Sequence, residues 1–256
     1  MSEKSAVYET STIAEMTNGI ILANYEKILQ VQEAYQSEAE LEESMIKNLV
    51  LQGYEKFNGK TSDDLYKNLK IQIEKLNKVT FTDEEWKRFL IEYLDSPNDG
   101  MIEKTRKIQE NHIHDFTFDD GHLQNIKIID KKNIHNNFLQ VINQVVGEGT
   151  KRNRYDVTVL VNGLPLVHIE LKKRGVNLHE AFNQIHRYSK ESFNSENTLY
   201  KYVQLFVISN GTYTRYFANT TAQNKNHYEF TCEWADAKNR VIRDLEDFTA
   251  TFFEKR

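Results

Sequence analysis

Residues 155–175 read YDVTVLVNGLPLVHIELKKRG. Two runs of alternating apolar residues flank Asn162-Gly163, a dipeptide typical of tight turns, and the pattern predicts a β-hairpin. The second run ends in Glu170-Leu171-Lys172. Because side chains alternate along a strand, Glu170 and Lys172 project from the same face. That face is either an edge of salt bridges or a metal site.

The register of the hairpin follows from which face is apolar. A two-residue loop pairs Val157 with His168 and mixes polar and apolar side chains on both faces. A three-residue loop pairs Val157 with Ile169 instead, and it places Asp156 opposite Glu170. One face is then branched and apolar, so the sequence predicts the three-residue loop. This loop also sets two further pairs, Val161–Pro165 and Val159–Val167.

Two carboxylates opposed across a hairpin repel each other unless a cation lies between them. Lys172 could supply that charge, which gives a structural edge. Alternatively, Asp156 and Glu170 could bind Mg²⁺, which accepts a few protein carboxylates together with water and phosphate. Lys172 would then position the attacking water and stabilise the charge that develops on phosphorus. The spacing alone leaves both readings open.

The composition is that of a soluble protein. The 256 residues carry a net charge of −5, with 28% charged residues and a mean hydropathy of −0.66. We expect neither a membrane span nor a cleavable leader, and we predict a cytoplasmic protein. Cys232 is the single cysteine, which excludes an intrachain disulfide and a cysteine-based zinc site. Basic clusters at 151–154 and 172–174 could bind a phosphate backbone despite the acidic total.

Periodicity along the chain predicts an α/β (α+β) fold, with a mixed β-sheet flanked by helices and a mainly helical N-terminal part. Strand-like segments begin near residue 113, where β-branched and aromatic residues become frequent. The chain contains no phosphate-binding G-x-x-x-x-G-K-[ST] loop. The predicted divisions are an N-terminal extension (1–36) and a main domain (37–256). The main domain has a helical insertion (about 61–110), a core (about 113–220) and a C-terminal helix (about 236–256).

Two motifs carry a resemblance to known nucleases. Asp156, thirteen intervening residues and Glu170-Leu171-Lys172 resemble the PD-(D/E)xK motif, with Tyr155 where that motif has proline. Residues 184–188, QIHRY, are similar to the Q-x-x-x-Y element of the RecB-like branch of that superfamily. Over nearly its whole length the chain resembles the N-terminal region of type I restriction enzyme R subunits, particularly the IC type.

The resemblance implies a restriction-endonuclease-like core that uses Mg²⁺ to cleave unmodified foreign duplex DNA. It also implies that ATP is used only by motor domains, which these residues do not include. The partners implied are duplex DNA and the methyltransferase and specificity subunits of a type I complex.

The resemblance also assigns roles to individual residues. Asp156 and Glu170 correspond to metal ligands, and Lys172 to the catalytic lysine. An acidic residue on the first core helix corresponds to Glu42, with Glu40 and Glu43 as alternatives. Groups expected to position DNA or the active site are Gln184, Tyr188, Arg187 and Lys173.

Two other functions fit the same residues. One is a non-catalytic DNA-binding or docking module whose hairpin face is a salt-bridged edge, although such an edge does not require Asp156 to face Glu170. The other is a nuclease that acts alone in recombination or repair, which the long match to type I subunits disfavours.

Overall fold

A six-stranded mixed sheet forms the centre of the molecule. The computed structural model describes residues 8–15, 21–27, 36–147, 153–191, 193, 198–222 and 226–255. In the sheet order β10-β9-β8-β7-β6-β3, the pairs β8–β9 and β3–β6 are parallel and the others are antiparallel. Its strands are β3 (Glu55–Lys56), β6 (Leu139–Gly147), β7 (Asn153–Val161), β8 (Leu164–Leu171), β9 (Leu205–Ser209) and β10 (Thr214–Ala218).

Helices and three small strand pairs make up the other regular structure of the described residues. The antiparallel pairs are β1 (Tyr8–Glu15) with β2 (Ile21–Lys27), β4 (Ile113–Thr117) with β5 (Leu123–Lys127), and β11 (Trp234–Ala235) with β12 (Val241–Ile242). The β1–β2 pair is strand structure within the N-terminal part, for which helices were predicted. The α-helices are α1 (Glu38–Leu51), α2 (Ser62–Asn77), α3 (Asp83–Phe89), α4 (Met101–Gln109), α5 (Leu178–Glu191) and α6 (Leu245–Phe252).

Helices cover both faces of the central sheet. One face packs against α1 and α6, where Leu49 and Phe248 are fully buried with Val157 and Ile169 of the hairpin. The other face packs against α2 and α5 and holds the larger core. This arrangement confirms the α/β class and the mixed sheet flanked by helices. No helix among the described residues is long and apolar enough to cross a membrane.

Local signals in the sequence fix the start of α1 and of α3. The Ser37 hydroxyl accepts the Glu40 N–H and the Glu40 carboxylate accepts the Ser37 N–H, which is a complete capping box. Thr82 and Glu85 form the same arrangement at α3. That helix passes into a single π-helical turn over Leu90–Leu94 and ends before Pro97, as the proline predicted.

The hairpin between β7 and β8 has the predicted register but not the predicted loop. Its turn contains two residues, Asn162 (φ 51°) and Gly163 (φ 82°), so Val161 pairs with Leu164 rather than with Pro165. The extra residue is Leu166, which forms a β-bulge between Leu160–Pro165 and Val159–Val167. The three-residue loop was therefore wrong, while the pairs Val159–Val167 and Val157–Ile169 were right.

A buried side chain explains why the turn is short. The Asn162 amide donates to the Ile128 carbonyl at 3.0 Å and to Asn137 Oδ1 at 2.8 Å, which fixes the left-handed turn against the neighbouring loop. The bulge then restores the register that buries the branched face.

The C-terminal helix is shorter than predicted. It begins at Leu245 rather than near Asp236, and the β11–β12 hairpin occupies the preceding residues. Asp236 accepts hydrogen bonds from the N–H groups of Lys238 and Arg240, both 2.9 Å long, and Asn239 is left-handed at φ 59°. These hydrogen bonds stabilise a turn at residues 236–240 in place of the predicted first turns of the helix. The division of the chain into extension, insertion and core remains a prediction.

Candidate active site

Asp156 and Glu170 meet at the open end of the β7–β8 hairpin. Val157 pairs with Ile169, and one step further along the two strands Asp156 lies across from Glu170. The Leu171 N–H donates to Asp156 Oδ2 at 2.9 Å. This contact fixes the aspartate side chain against β8, because a backbone donor cannot swing away as a side chain can.

Lys172 completes the group from the end of β8. Its Nζ lies 2.9 Å from Glu170 Oε1, with the lysine side chain 12% exposed and the glutamate fully buried. The Lys172 N–H donates to the Ser209 carbonyl at 2.8 Å, which extends the β8–β9 pairing beyond the strand. The structure thus brings together the three residues of the predicted motif.

The electrostatics of this group are unbalanced. Burial and repulsion by Glu170 raise the pKa of Asp156 to about 7. Burial also raises the pKa of Glu170 to about 7, although Lys172 opposes the shift. Burial opposes the charge on Lys172, but Glu170 and Asp156 raise its pKa above the ordinary value. Two buried carboxylates therefore share one ammonium, and a divalent cation would relieve their repulsion.

The donor set fits Mg²⁺. Glu170 Oε2 is buried and accepts no hydrogen bond within the described part of the chain; His168 Nε2 lies 3.5 Å from it. Among the described residues, no three His, Cys, Asp or Glu side chains come close enough together to hold a metal ion by themselves. Two carboxylates completed by water and phosphate are a normal environment for Mg²⁺, whereas Zn²⁺ takes three or four protein ligands.

His168 contributes packing next to the carboxylates. It is fully buried against aromatic rings, including Tyr155 and Phe193. Burial lowers the pKa of His168 to about 4, so the ring is neutral at pH 7. A neutral imidazole does not compete with a metal ion for the two carboxylates.

The Q-x-x-x-Y pair lies beside the site on α5. Gln184 Nε2 donates to the Tyr188 hydroxyl, and that hydroxyl donates to the Arg154 carbonyl at 3.3 Å. Burial, Glu170 and Asp156 together raise the pKa of Tyr188, so the phenol stays protonated. Arg187 is exposed, with its guanidinium carbon 5.5 Å from the centre of the Tyr188 ring.

A cleft of about 1150 Å³ opens beside Asp156, between α1 and the β6–β7 strands. Arg154 and Lys173 contribute basic side chains to its wall. Lys173 is exposed, and its N–H donates to Glu38 Oε1 at 3.3 Å. The cleft gives a negatively charged ligand a route to the carboxylates.

The structure distinguishes the three candidate glutamates on α1. Glu40 is occupied by the capping box, where it accepts the Ser37 N–H at 2.7 Å. Glu43 is exposed at the outer rim of the cleft. Glu42 is 7% exposed and accepts hydrogen bonds from Asn143 and Gln144 within the same cleft.

Sequence reasoning missed several residues of the cleft. Glu38 lies in the acidic run that opens α1, and its charge acts on both Glu170 and Lys172. Asn143 and Gln144 belong to β6, where a polar pair in a strand is a weak signal. Only their approach to Glu42 in the folded chain reveals them.

Comparison with known proteins identifies the family of this chain. Residues 35–225 match the family described as type I restriction enzyme R protein N terminus. The chain is 57% identical over 247 residues to the type I restriction enzyme EcoprrI endonuclease subunit of Escherichia coli, over 96% of this chain and 79% of that protein.

More distant relatives are longer. The chain is 37% identical over 224 residues to the type I restriction enzyme SauMSSORF170P endonuclease subunit of Staphylococcus aureus, over 86% of this chain and 23% of that protein. The SauMW2ORF169P endonuclease subunit of the same species matches equally well, and the chain again spans less than a quarter of its length. The chain therefore belongs to the family of type I restriction enzyme R protein N-terminal domains, as its motifs predicted.

Proposed function

We propose that this chain is the Mg²⁺-dependent endonuclease domain of a type I R subunit and hydrolyses phosphodiester bonds of unmodified foreign duplex DNA. One observation carries the proposal: Asp156, Glu170 and Lys172 converge, and Asp156 lines a cleft whose wall holds both basic and acidic side chains. The names of the relatives, which are endonuclease subunits of type I enzymes, support it.

Each residue of the motif has a role in this proposal. Asp156 and Glu170 would hold the metal ion through the oxygens that the protein leaves free. When bound, Mg²⁺ would polarise the scissile phosphate and make water more acidic. The ammonium of Lys172 is held by Glu170 at 2.9 Å and provides positive charge where the phosphate gains negative charge.

The surrounding residues would position the DNA. The protonated Tyr188 hydroxyl and the Gln184 amide form a hydrogen-bonded polar pair beside the site. Exposed Arg187 and Lys173 are suited to backbone phosphates, which bind cations without regard to sequence.

The rest of the system is part of the same proposal. ATP-driven translocation would reside in motor domains outside these residues, and methyltransferase and specificity subunits would complete the cytoplasmic complex. A docking module without catalysis is less suitable, because a docking edge gains nothing from a fully buried glutamate that faces an aspartate.

The test uses the complete R subunit assembled with its partners. Asp156→Ala, Glu170→Ala and Lys172→Ala should each reduce DNA cleavage by on the order of 10²-fold or more, because each removes a group that acts in the transition state. ATP hydrolysis should remain, because none of the three residues belongs to a nucleotide-binding loop.

Matched controls are available on the exposed face of α3. Glu84→Ala removes a negative charge and Lys87→Ala a positive charge, both outside the motif. Enzymes with either change should cut DNA at the wild-type rate. Cleavage and ATP hydrolysis would be measured side by side for all five variants. Wild-type cleavage by both Asp156→Ala and Lys172→Ala would show that the carboxylate and lysine face is structural.

A further inference from the structure

An irregularity in β6 lies directly beside the site. The β6–β7 pairing continues on both sides of Gln144, with Asn143 paired to Val157 and Val145 paired to Tyr155. The ladder omits Gln144 and Asp156, which face each other at this gap. Gln144 has φ 58°, a left-handed conformation that costs a non-glycine residue about 1 kcal/mol.

The irregularity changes the faces to which side chains point. Val141 belongs to the core beneath α1, whereas Val145 belongs to the core on the opposite side of the sheet. In a regular strand these two residues share a face, since they are four positions apart. The side chains of β6 therefore exchange faces of the sheet at Gln144. In β7, Val157 and Tyr155 also belong to opposite faces, although they are two positions apart.

The turn brings two consecutive amides to one carboxylate. Asn143 Nδ2 donates to Glu42 Oε2 at 3.2 Å, and Gln144 Nε2 donates to Glu42 Oε1. Neighbouring residues of a regular strand point to opposite faces and could not both reach Glu42. Gln144 Oε1 is buried without a hydrogen bond in the described part of the chain, so the contact with Glu42 is what holds this side chain.

Glu42 is a buried acid with no ion-pair partner among the residues that the structure describes. It is 7% exposed, and none of the described lysines, arginines or histidines forms an ion pair with it. A buried carboxylate is normally paired with a positive charge, because neutral donors compensate only part of the cost of desolvation. The open side of Glu42 faces the cleft that Asp156 also lines.

We infer that Asn143 and Gln144 form an amide clamp, which positions Glu42 as an outer carboxylate of the metal site. This inference rests on the proposed function. Glu42 does not cluster with two other acidic, histidine or cysteine side chains at ligand distance within the described residues, so it would accept hydrogen bonds from the hydration shell that Mg²⁺ retains. Gln144 and Asn143 act through Glu42 and are positioning residues.

The clamp explains why a strained glutamine persists in a strand. Strained backbone conformations are retained at functional sites when they place a side chain in a position that the function requires. Outer groups that orient the acceptors around a metal ion typically change its affinity by about 10-fold to 100-fold when removed.

The test measures metal affinity of the 256-residue chain without DNA. The probe is Mn²⁺, which prefers the same oxygen ligands as Mg²⁺, in an isothermal titration. Gln144→Gly keeps the left-handed backbone without strain and removes the amide, so the relief of strain offsets part of the cost of the lost hydrogen bond and the chain should still fold. Its dissociation constant for Mn²⁺ should rise by about 10-fold.

Two further variants separate positioning from packing. Gln144→Met retains the side-chain length without the amide and should weaken Mn²⁺ binding in the same way. In a Glu42→Ala background, Gln144→Gly should cause no additional loss, because the residue through which it acts is absent.

Other results would overturn the inference. If Asp156→Ala abolishes Mn²⁺ binding while Gln144→Gly and Gln144→Met bind like wild type, the metal site stands and the clamp is only an anchor of α1. If Asp156→Ala also binds Mn²⁺ like wild type, the metal site is wrong, and both the amide clamp and the proposed function are contradicted.

Discussion

At the scale of single residues, the fold holds two carboxylates and one ammonium group close together in the site. Asp156 and Glu170 are both largely removed from water, and Lys172 supplies the one positive charge among the three residues. The protein thus maintains two carboxylates in a place where neither would ionise easily alone. An arrangement that costs stability in this way is typical of a site that gains a cation from outside.

The imbalance predicts a pH-dependent stability of the metal-free chain. The folded-state pKa of Asp156, about 7, lies well above its ordinary value, so the site is most stable below pH 4. Stability is lost as the pH rises toward 7, because ionisation is opposed only in the folded state. Asp156→Asn removes that loss and should raise the melting temperature at pH 8 by at least about 2 °C.

The measurement is thermal unfolding at pH 5 and pH 8 without metal. The difference between Asp156→Asn and wild type should be larger at pH 8 than at pH 5. Glu84→Gln removes an exposed carboxylate and should show no such difference. An equal effect of Asp156→Asn at both pH values would contradict the raised pKa.

At the scale of elements, the β7–β8 hairpin sets the position of both carboxylates. Its turn is pressed against α2, since a Cβ added at Gly163 would lie 2.7 Å from Leu69 Cα. The two-residue turn alone would give a different register. The bulge at Leu166 shifts the pairing by one residue, so that Asp156 lies across from Glu170.

Gly163→Ala should therefore be strongly destabilising. It combines a left-handed backbone at φ 82° with a collision against the backbone of α2. Gly121→Ala is the matched control, because its φ is 86° and its added Cβ would meet nothing within 4 Å. We expect a loss of about 1 kcal/mol for Gly121→Ala and a further 1–3 kcal/mol, roughly, for Gly163→Ala.

Urea unfolding of the two variants compares these losses directly. The difference between their free energies of unfolding isolates the collision, since both residues lose the same conformational freedom. Equal losses would mean that the turn can move away from α2 without cost.

At the scale of the whole molecule, the chain combines a complete motif with a limited surface for DNA. The motif, the Q-x-x-x-Y pair and the cleft all lie within the described residues. The 33 Lys and Arg residues are outnumbered by 38 Asp and Glu residues, so the net charge of the chain is −5. Non-specific affinity for duplex DNA depends on the number of phosphates neutralised, so this domain alone should bind DNA weakly.

We therefore expect the 256-residue chain with Mg²⁺ to cut plasmid DNA poorly or not at all. The assay follows nicking and linearisation, with the complete type I complex and ATP as the positive control. Efficient, sequence-specific cutting by the chain alone would show a self-sufficient nuclease instead of part of a subunit.

The sequence by itself determined the family, the α/β class and the motif. The alternation of apolar residues was sufficient to predict that Asp156 lies across from Glu170, because a register slip of one residue would expose an entire apolar face. Capping residues likewise determined where α1 and α3 begin, since those hydrogen bonds are local.

Tertiary structure decided what local pattern leaves undetermined. The proposal of Glu42 rather than Glu40 or Glu43 rests on packing of α1 against β6, which brings Asn143 and Gln144 to that one carboxylate. The two-residue turn and its bulge depend on Asn162, whose buried amide bonds to a loop far away in the sequence. In both cases the deciding contacts join distant residues, and no short-range periodicity can encode them.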